Sequence, residues 1–231
     1  MTRLQTDFMT QALKGHLQKE VPAALDCVGV ETDSRKPSQG GLFVALAGER
    51  FDGHDFVTQM LDQGAAAALV HKHLPGYENY ANQLIVVDDT LKGLQALAQG
   101  HLLRMPAFRI GVTGSNGKTT TKELIKAALE KPAGQGAVHA NAGNFNNHIG
   151  LPLSALQTSA GHRFAILEMG MNHLGEIKTL ASIGKPQVGV ITNIGTAHAG
   201  NLGGVRGVAE AKGELFEYLA QNDGVLIVNA D

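Results

Sequence analysis

Residues 111–121 read GVTGSNGKTTT, and the fold class turns on what surrounds them. An apolar run at 109–112 comes before, and a helical pattern from Lys118 comes after, so the glycines occupy a strand-to-helix turn. Glycine lets a backbone aim N–H groups at phosphate oxygens, and a helix N-terminus adds positive potential there. Gly114, Ser115, Asn116, Gly117, Lys118, Thr119 and Thr120 are therefore candidate nucleotide contacts. Lys118 would reach the β/γ-phosphates, and the Thr119 hydroxyl would ligate magnesium. One departure from the common P-loop stands out: five residues before Gly117 the chain has Val112, with glycines at 111 and 114. The competing explanation is a glycine-rich turn that happens to contain Gly-Lys-Thr.

Outward from this turn the chain alternates strand and helix. Apolar runs at 109–112, 137–139, 164–167, 188–192 and 225–228 predict strands, and helical spacing falls near 118–130, 174–182 and 205–219. Such alternation predicts an α/β domain with a mostly parallel sheet covered on both faces. The run at 164–167 ends in Glu168, a carboxylate placed to complete a magnesium shell beside a P-loop. Two further polar clusters follow strands, one at 141–148 with Asn144 and Asn147, the other at 193–198 ending in His198. Ligands of open α/β sheets bind beyond the carboxyl ends of the strands, so these clusters are expected to converge. Taken singly, each is explained by turn chemistry.

Toward the N-terminus the signals are weaker. Helical spacing covers 6–17 and a stretch from Asp55, strands are read at 42–46, 67–70 and 84–87, and Asp88 or Asp89 caps a helix to about Leu103. Domains are accordingly placed at 1–88 and 106–231, joined by a helix over 89–105.

Composition narrows the function classes. The 231 residues are 43% hydrophobic and 17% charged, as in an ordinary globular protein with a real core. A net charge of -2 gives no basic field for nucleic acid. No apolar run is long enough to span a bilayer, and no signal peptide is read, so membrane insertion is not expected. The single cysteine, Cys27, excludes an internal disulfide and fits a reducing cytoplasm.

Several strings together resemble one family, the Mur ligases of peptidoglycan assembly. They are TGSNGKTT at 113–120, TDSRKPSQGGLFVALAGERFDGHDF at 32–56, NAGNFNNHIGLPLSAL at 141–156 and ILEMGMNHLGEI at 166–177, with ITNIGTAHAGNLGG at 191–204 and EAKGELF at 210–216. The Val112 departure is normal for that family. The resemblance implies a small N-terminal domain for a UDP-sugar peptide, a central ATP domain and a third domain for the incoming amino acid or dipeptide. It implies an ATP- and magnesium-dependent ligase that joins D-alanyl-D-alanine to a UDP-N-acetylmuramoyl-tripeptide through an acyl phosphate. A monomer is the expected state. Family members continue past residue 231, so the resemblance makes the central domain incomplete, the dipeptide domain absent and this chain alone incapable of turnover.

By the same resemblance Lys118 holds the γ-phosphate, Thr119 and Glu168 hold one magnesium, and His198 holds a second that bridges phosphate and carboxylate. Lys212 matches a lysine that several members carry as a carbamate; a solvated helix lysine is the other reading. Ser34 and Arg35, with Gly53 and His54, match the UDP-substrate region, and Asn144 and Asn147 would orient phosphate or substrate. Three rivals remain: a sister ligase adding one amino acid, a P-loop kinase or motor ATPase, and a non-catalytic module that only binds the UDP-substrate.

Overall fold

The computed structural model describes residues 2–36, 38–197, 200 and 202–229. The chain forms two compact units, Met1–Gly100 and His101–Asp231.

In the first unit β1 (Arg3–Gln5) pairs antiparallel with β2 (Asp26–Val28). Between them α1 (Thr6–Ala12) is shorter than the helix expected over 6–17. Leu17 lies outside that helix because it bridges Val87 instead. Four parallel strands follow in chain order: β3 (Val30–Glu31), β4 (Leu42–Val44), β5 (Ala67–Val70) and β6 (Leu84–Val86). A 3₁₀ turn, Gly53–Phe56, leads into α2 (Val57–Asp62), where spacing alone suggested one helix from residue 55. Phe43, Ala68 and Val70 of the sheet pack with Val57 and Met60 of α2 and with Tyr77 to make the core. The apolar pattern did not single out β1, β2 or β3, which are strands by virtue of their pairing. The unit's last helix, α3 (Thr90–Arg104), starts where Asp89 Oδ1 accepts from the N–H groups of Leu91 (2.8 Å) and Lys92 (3.1 Å). That is an N-cap in its usual chemistry.

The second unit runs β7 (Phe108–Thr113), α4 (Lys118–Ala133), β8 (Val138–Ala140), α5 (Gly150–Ala155), β9 (Phe164–Glu168), α6 (Glu176–Gly184), β10 (Val188–Ile191), α7 (Val205–Gln221) and β11 (Val225–Val228). Its five strands are all parallel, in the order β11-β10-β7-β9-β8. All five strands read from the apolar runs are present, with ends shifted by a residue or so. Ile110 and Val112 of β7 pack with Val138 and Ile166, and Ile125 and Leu129 of α4 cover them. From β7 the chain steps to β8 at one edge, returns to β9, and then crosses to β10 on the other side of β7. The tip of β7 is thus the point where strand order reverses, which is where ligand crevices form in open parallel sheets. Val112 lies opposite Glu168 in the ladder, and Thr113 lies opposite Ile191. Among the described residues, no helix is long and apolar enough to cross a membrane.

Candidate functional site

At the tip of β7 the loop turns sharply through Gly114, whose φ is +153°. A Cβ there would stand 1.9 Å from Thr192 Oγ1, so neither the backbone nor the space admits a side chain. The first helical bond of α4 runs from Thr121 N–H to Gly117 O at 2.8 Å. The N–H groups of Lys118, Thr119 and Thr120 consequently have no intrahelical acceptor and give the helix its anion-binding end. Lys118 Nζ folds back to donate to Gly114 O at 2.8 Å. Ser115 and Asn116 correct part of the expectation. Their N–H groups do not turn to a phosphate: that of Ser115 donates to Asn193 O (3.1 Å) and that of Asn116 to Asn193 Oδ1 (2.9 Å).

Glu168, at the end of β9, is only 2% exposed and is held from several sides. Thr119 Oγ1 donates to its Oε2 at 2.8 Å, and Asn146 Nδ2 donates to its Oε1 at 2.9 Å. The Asn141 side chain clamps its peptide, accepting from Glu168 N–H (2.8 Å) and donating to Glu168 O (3.1 Å). Lys122, 1% exposed, donates to Asn141 O at 2.7 Å and lies 3.9 Å from Glu168 Oε2. The sequence placed Asn141, Asn146 and Asn193 within its polar clusters without singling them out, and Lys122 was missed. Lys122 stands one turn beyond Lys118 on α4, and that spacing was the available signal. Nothing in the amide-rich string told one asparagine from another. Asn147 spends its Oδ1 on the N–H groups of Ile149 (3.1 Å) and Gly150 (2.8 Å), at the start of α5.

Lys118, Asn144, Asn147 and Lys212 line one cavity of about 660 Å³, with Met171 and Glu176 on its wall. Lys212 projects from α7 and is 2% exposed, which removes the solvated-helix reading. Burial, and secondarily the positive charge of Lys118, pull its amine down to about 8. An ammonium in that position loses hydration, so the neutral, nucleophilic form is favoured. His198 lies outside the described residues.

In the first unit Ser34, Arg35 and Gly53 line a separate cavity of about 570 Å³, together with Phe43, Phe51 and Phe56. Arg35 donates through Nε and one terminal nitrogen to both Asp33 oxygens, each at 2.8 Å, and this pairing holds Asp33 well below the usual carboxylate range. Gly53 is there for closeness: a Cβ would come within 2.8 Å of Leu46 N. His54 is a correction, because it does not line the cavity. It is 1% exposed; Nδ1 pairs with Asp52 at 2.6 Å, and Nε2 accepts from His71 N–H at 3.1 Å. That pattern fixes a neutral ring with its proton on Nδ1, and burial holds its pKa below the ordinary value. The Tyr77 hydroxyl donates to His54 O at 2.7 Å. His54 therefore anchors the 3₁₀ turn to the tip of β5.

Residues 112–231, over half the chain, match the Mur ligase middle domain, and residues 27–102 match the Mur ligase family catalytic domain. The chain belongs to the Mur ligase family. Among Mur ligases it is 50% identical over 204 residues to the UDP-N-acetylmuramoyl-tripeptide–D-alanyl-D-alanine ligase of Bacillus subtilis, covering 88% of this chain and 43% of that protein. The enzyme of the same name from Escherichia coli is 40% identical over 223 residues, covering 96% and 47%. The chain spans about half the length of the curated relatives it matches. A crystal structure of MurF from Acinetobacter baumannii superposes with a TM-score of 0.89 at 34% identity, covering 99% of this chain and 49% of that one. The Thermotoga maritima MurF ligase, crystallised with ADP, superposes at 0.79 and 32% identity, covering 88% and 46%.

Proposed function

We propose that this chain is the substrate and nucleotide portion of an ATP-driven ligase that joins D-alanyl-D-alanine to a UDP-N-acetylmuramoyl-tripeptide in the cytoplasm. The observation that carries the reading is one cavity holding both Lys118 of the P-loop and the buried amine of Lys212, beside the Thr119–Glu168 pair. The names of the relatives favour a dipeptide over a single amino acid as the incoming group. A kinase or motor ATPase leaves the 27–102 match without a purpose.

In this reading a carboxylate oxygen of the tripeptide attacks the γ-phosphorus, and the bond to the β-phosphate oxygen breaks to release ADP. The amine of D-alanyl-D-alanine then attacks the acyl carbon, loses a proton, and inorganic phosphate departs. Negative charge gathers between phosphate and carboxylate in both steps, so the protein's task is positioning and neutralisation. Lys118 and the free amides of Lys118, Thr119 and Thr120 receive the phosphates. Gly114 allows the turn that exposes them, and Asn144 and Asn147 orient the reacting group. Thr119 and Glu168 offer hydroxyl and carboxylate oxygens, a donor set that fits magnesium, with His198 proposed for a second ion. When bound, magnesium supplies charge neutralisation on the phosphates. Lys212, whose lowered pKa of about 8 leaves an appreciable neutral fraction near physiological pH, suits addition of CO₂ to give a carbamate anion facing the cavity. In the first unit Ser34 and Arg35 meet the diphosphate of the UDP group.

The test is a ligase assay on the protein as its natural gene encodes it. ATP-dependent release of phosphate is expected with UDP-N-acetylmuramoyl-tripeptide plus D-alanyl-D-alanine, and at most a trace with single amino acids. Phosphate release that ignores the UDP-peptide would overturn the reading.

A further inference from the structure

Among the described residues, the segment after β10 makes five hydrogen bonds to Ser115 and Asn116 of the P-loop, and the reading above gives those bonds no task. Besides the two that Asn193 accepts from Ser115 and Asn116, Thr192 Oγ1 and Asn193 Nδ2 donate to Asn116 O at 2.5 and 3.3 Å. Gly195 N–H donates to Ser115 Oγ at 2.9 Å. The Asn193 amide thus grips the Asn116 residue by its N–H and its C=O at once. Among side chains only an amide offers a donor and an acceptor with that separation.

This brace divides the loop's donors. Ser115 and Asn116 are tied back, and the amides of Lys118, Thr119 and Thr120 are left for a ligand. A loop with glycines at 114 and 117 has much freedom to lose on binding, and ordering it beforehand removes that cost from the binding step. The same segment continues toward α7, the helix that carries Lys212.

We propose that Asn193 is a positioning residue for the nucleotide: its side-chain amide holds the P-loop in the shape that grips phosphate before any nucleotide arrives. The proposal rests on the nucleotide reading of the P-loop above. It concerns ATP alone, since Asn193 touches the loop and not the cavity that the first unit offers to the UDP group.

The experiment uses the protein as its natural gene encodes it, with Asn193→Ala and Asn193→Ser. Calorimetry with Mg-ADP is expected to show binding weakened tenfold or more in both variants. The KM for ATP is expected to rise by a similar factor, with the KM for the UDP-peptide and the melting temperature unchanged. Equal Mg-ADP affinity in wild type and variants, or an equal rise in both KM values, overturns the proposal and leaves the ligase reading standing. A wild-type protein that binds no nucleotide overturns both. Amide hydrogen exchange on nucleotide-free wild type is decisive without any variant: protection at Ser115 and Asn116 supports the brace, and rapid exchange at both overturns it.

Discussion

The two units treat their motif residues differently. In the second unit, residues drawn from separate strings meet: Lys118, Asn144, Asn147 and Lys212 share one cavity, and Thr119 bonds Glu168. In the first, the GERFDGHDF string splits its work. Gly53 lines the cavity, while His54 points inward and holds the fold together. A conspicuous motif can therefore encode chemistry in one place and architecture in another, and burial with saturated ring nitrogens is what separates the two.

The largest effect should come from Lys118→Ala. It is expected to lower kcat by roughly a thousandfold, about 4 kcal/mol of transition-state stabilisation, with the melting curve unchanged. His54→Ala should do the opposite, lowering stability by about 3 kcal/mol through lost packing and unpaired neighbours. Its binding of UDP-substrate at low temperature should match wild type. Weak binding with an intact melt would return His54 to the substrate site and erase the contrast. Lys212→Ala should cost about a hundredfold in kcat, or about 2.7 kcal/mol. Mass spectrometry under CO₂ should show a labile adduct in wild type that the variant lacks, and identical spectra would remove the carbamate.

The second unit has a half-buried histidine of its own, which sharpens the comparison. His139 pairs with Ser154 Oγ at 3.0 Å, and burial, helped by His162, pushes its pKa down to about 4. The unfolded chain takes up a proton near pH 6.5 while the folded chain does not, so this contribution is complete above pH 6.5. It falls away as pH drops toward 4, with about 2 kcal/mol lost by pH 5. Denaturant melts at pH 7 and pH 5 should show that loss in wild type and a smaller one in His139→Gln. The smallest effect belongs to Arg35→Ala: a roughly tenfold rise in the KM of the UDP-peptide, about 1.4 kcal/mol. Stability should barely change, because an exposed ion pair such as Arg35–Asp33 contributes little.

Legibility followed the same divide. The parallel α/β architecture of the second unit was readable because its strands are apolar runs separated by amphipathic helices, and each long run carries its own signal. The P-loop and Glu168 were readable as candidates for a related reason, since each sits where a strand ends, whereas Lys212 entered only through the family resemblance. What sequence did not show was which amide goes where. Asn141 and Asn146 hold Glu168, and Asn193 takes N–H groups of Ser115 and Asn116 that were read as facing phosphate. Those choices depend on contacts between residues tens of positions apart, and amide side chains carry no periodicity to betray them. The short strands β1 to β3 escaped because their pairing, not their composition, makes them strands.

Val112 and Glu168 face each other across a parallel ladder. The span between the turn proposed to grip phosphate and the carboxylate beside it is therefore ruled by peptide hydrogen bonds and not by the reach of flexible side chains. Slipping β9 by one residue would swing Glu168 through to the opposite surface of the sheet. Mutations that merely repack the interior leave this spacing intact, while a single insertion in either strand would dismantle it.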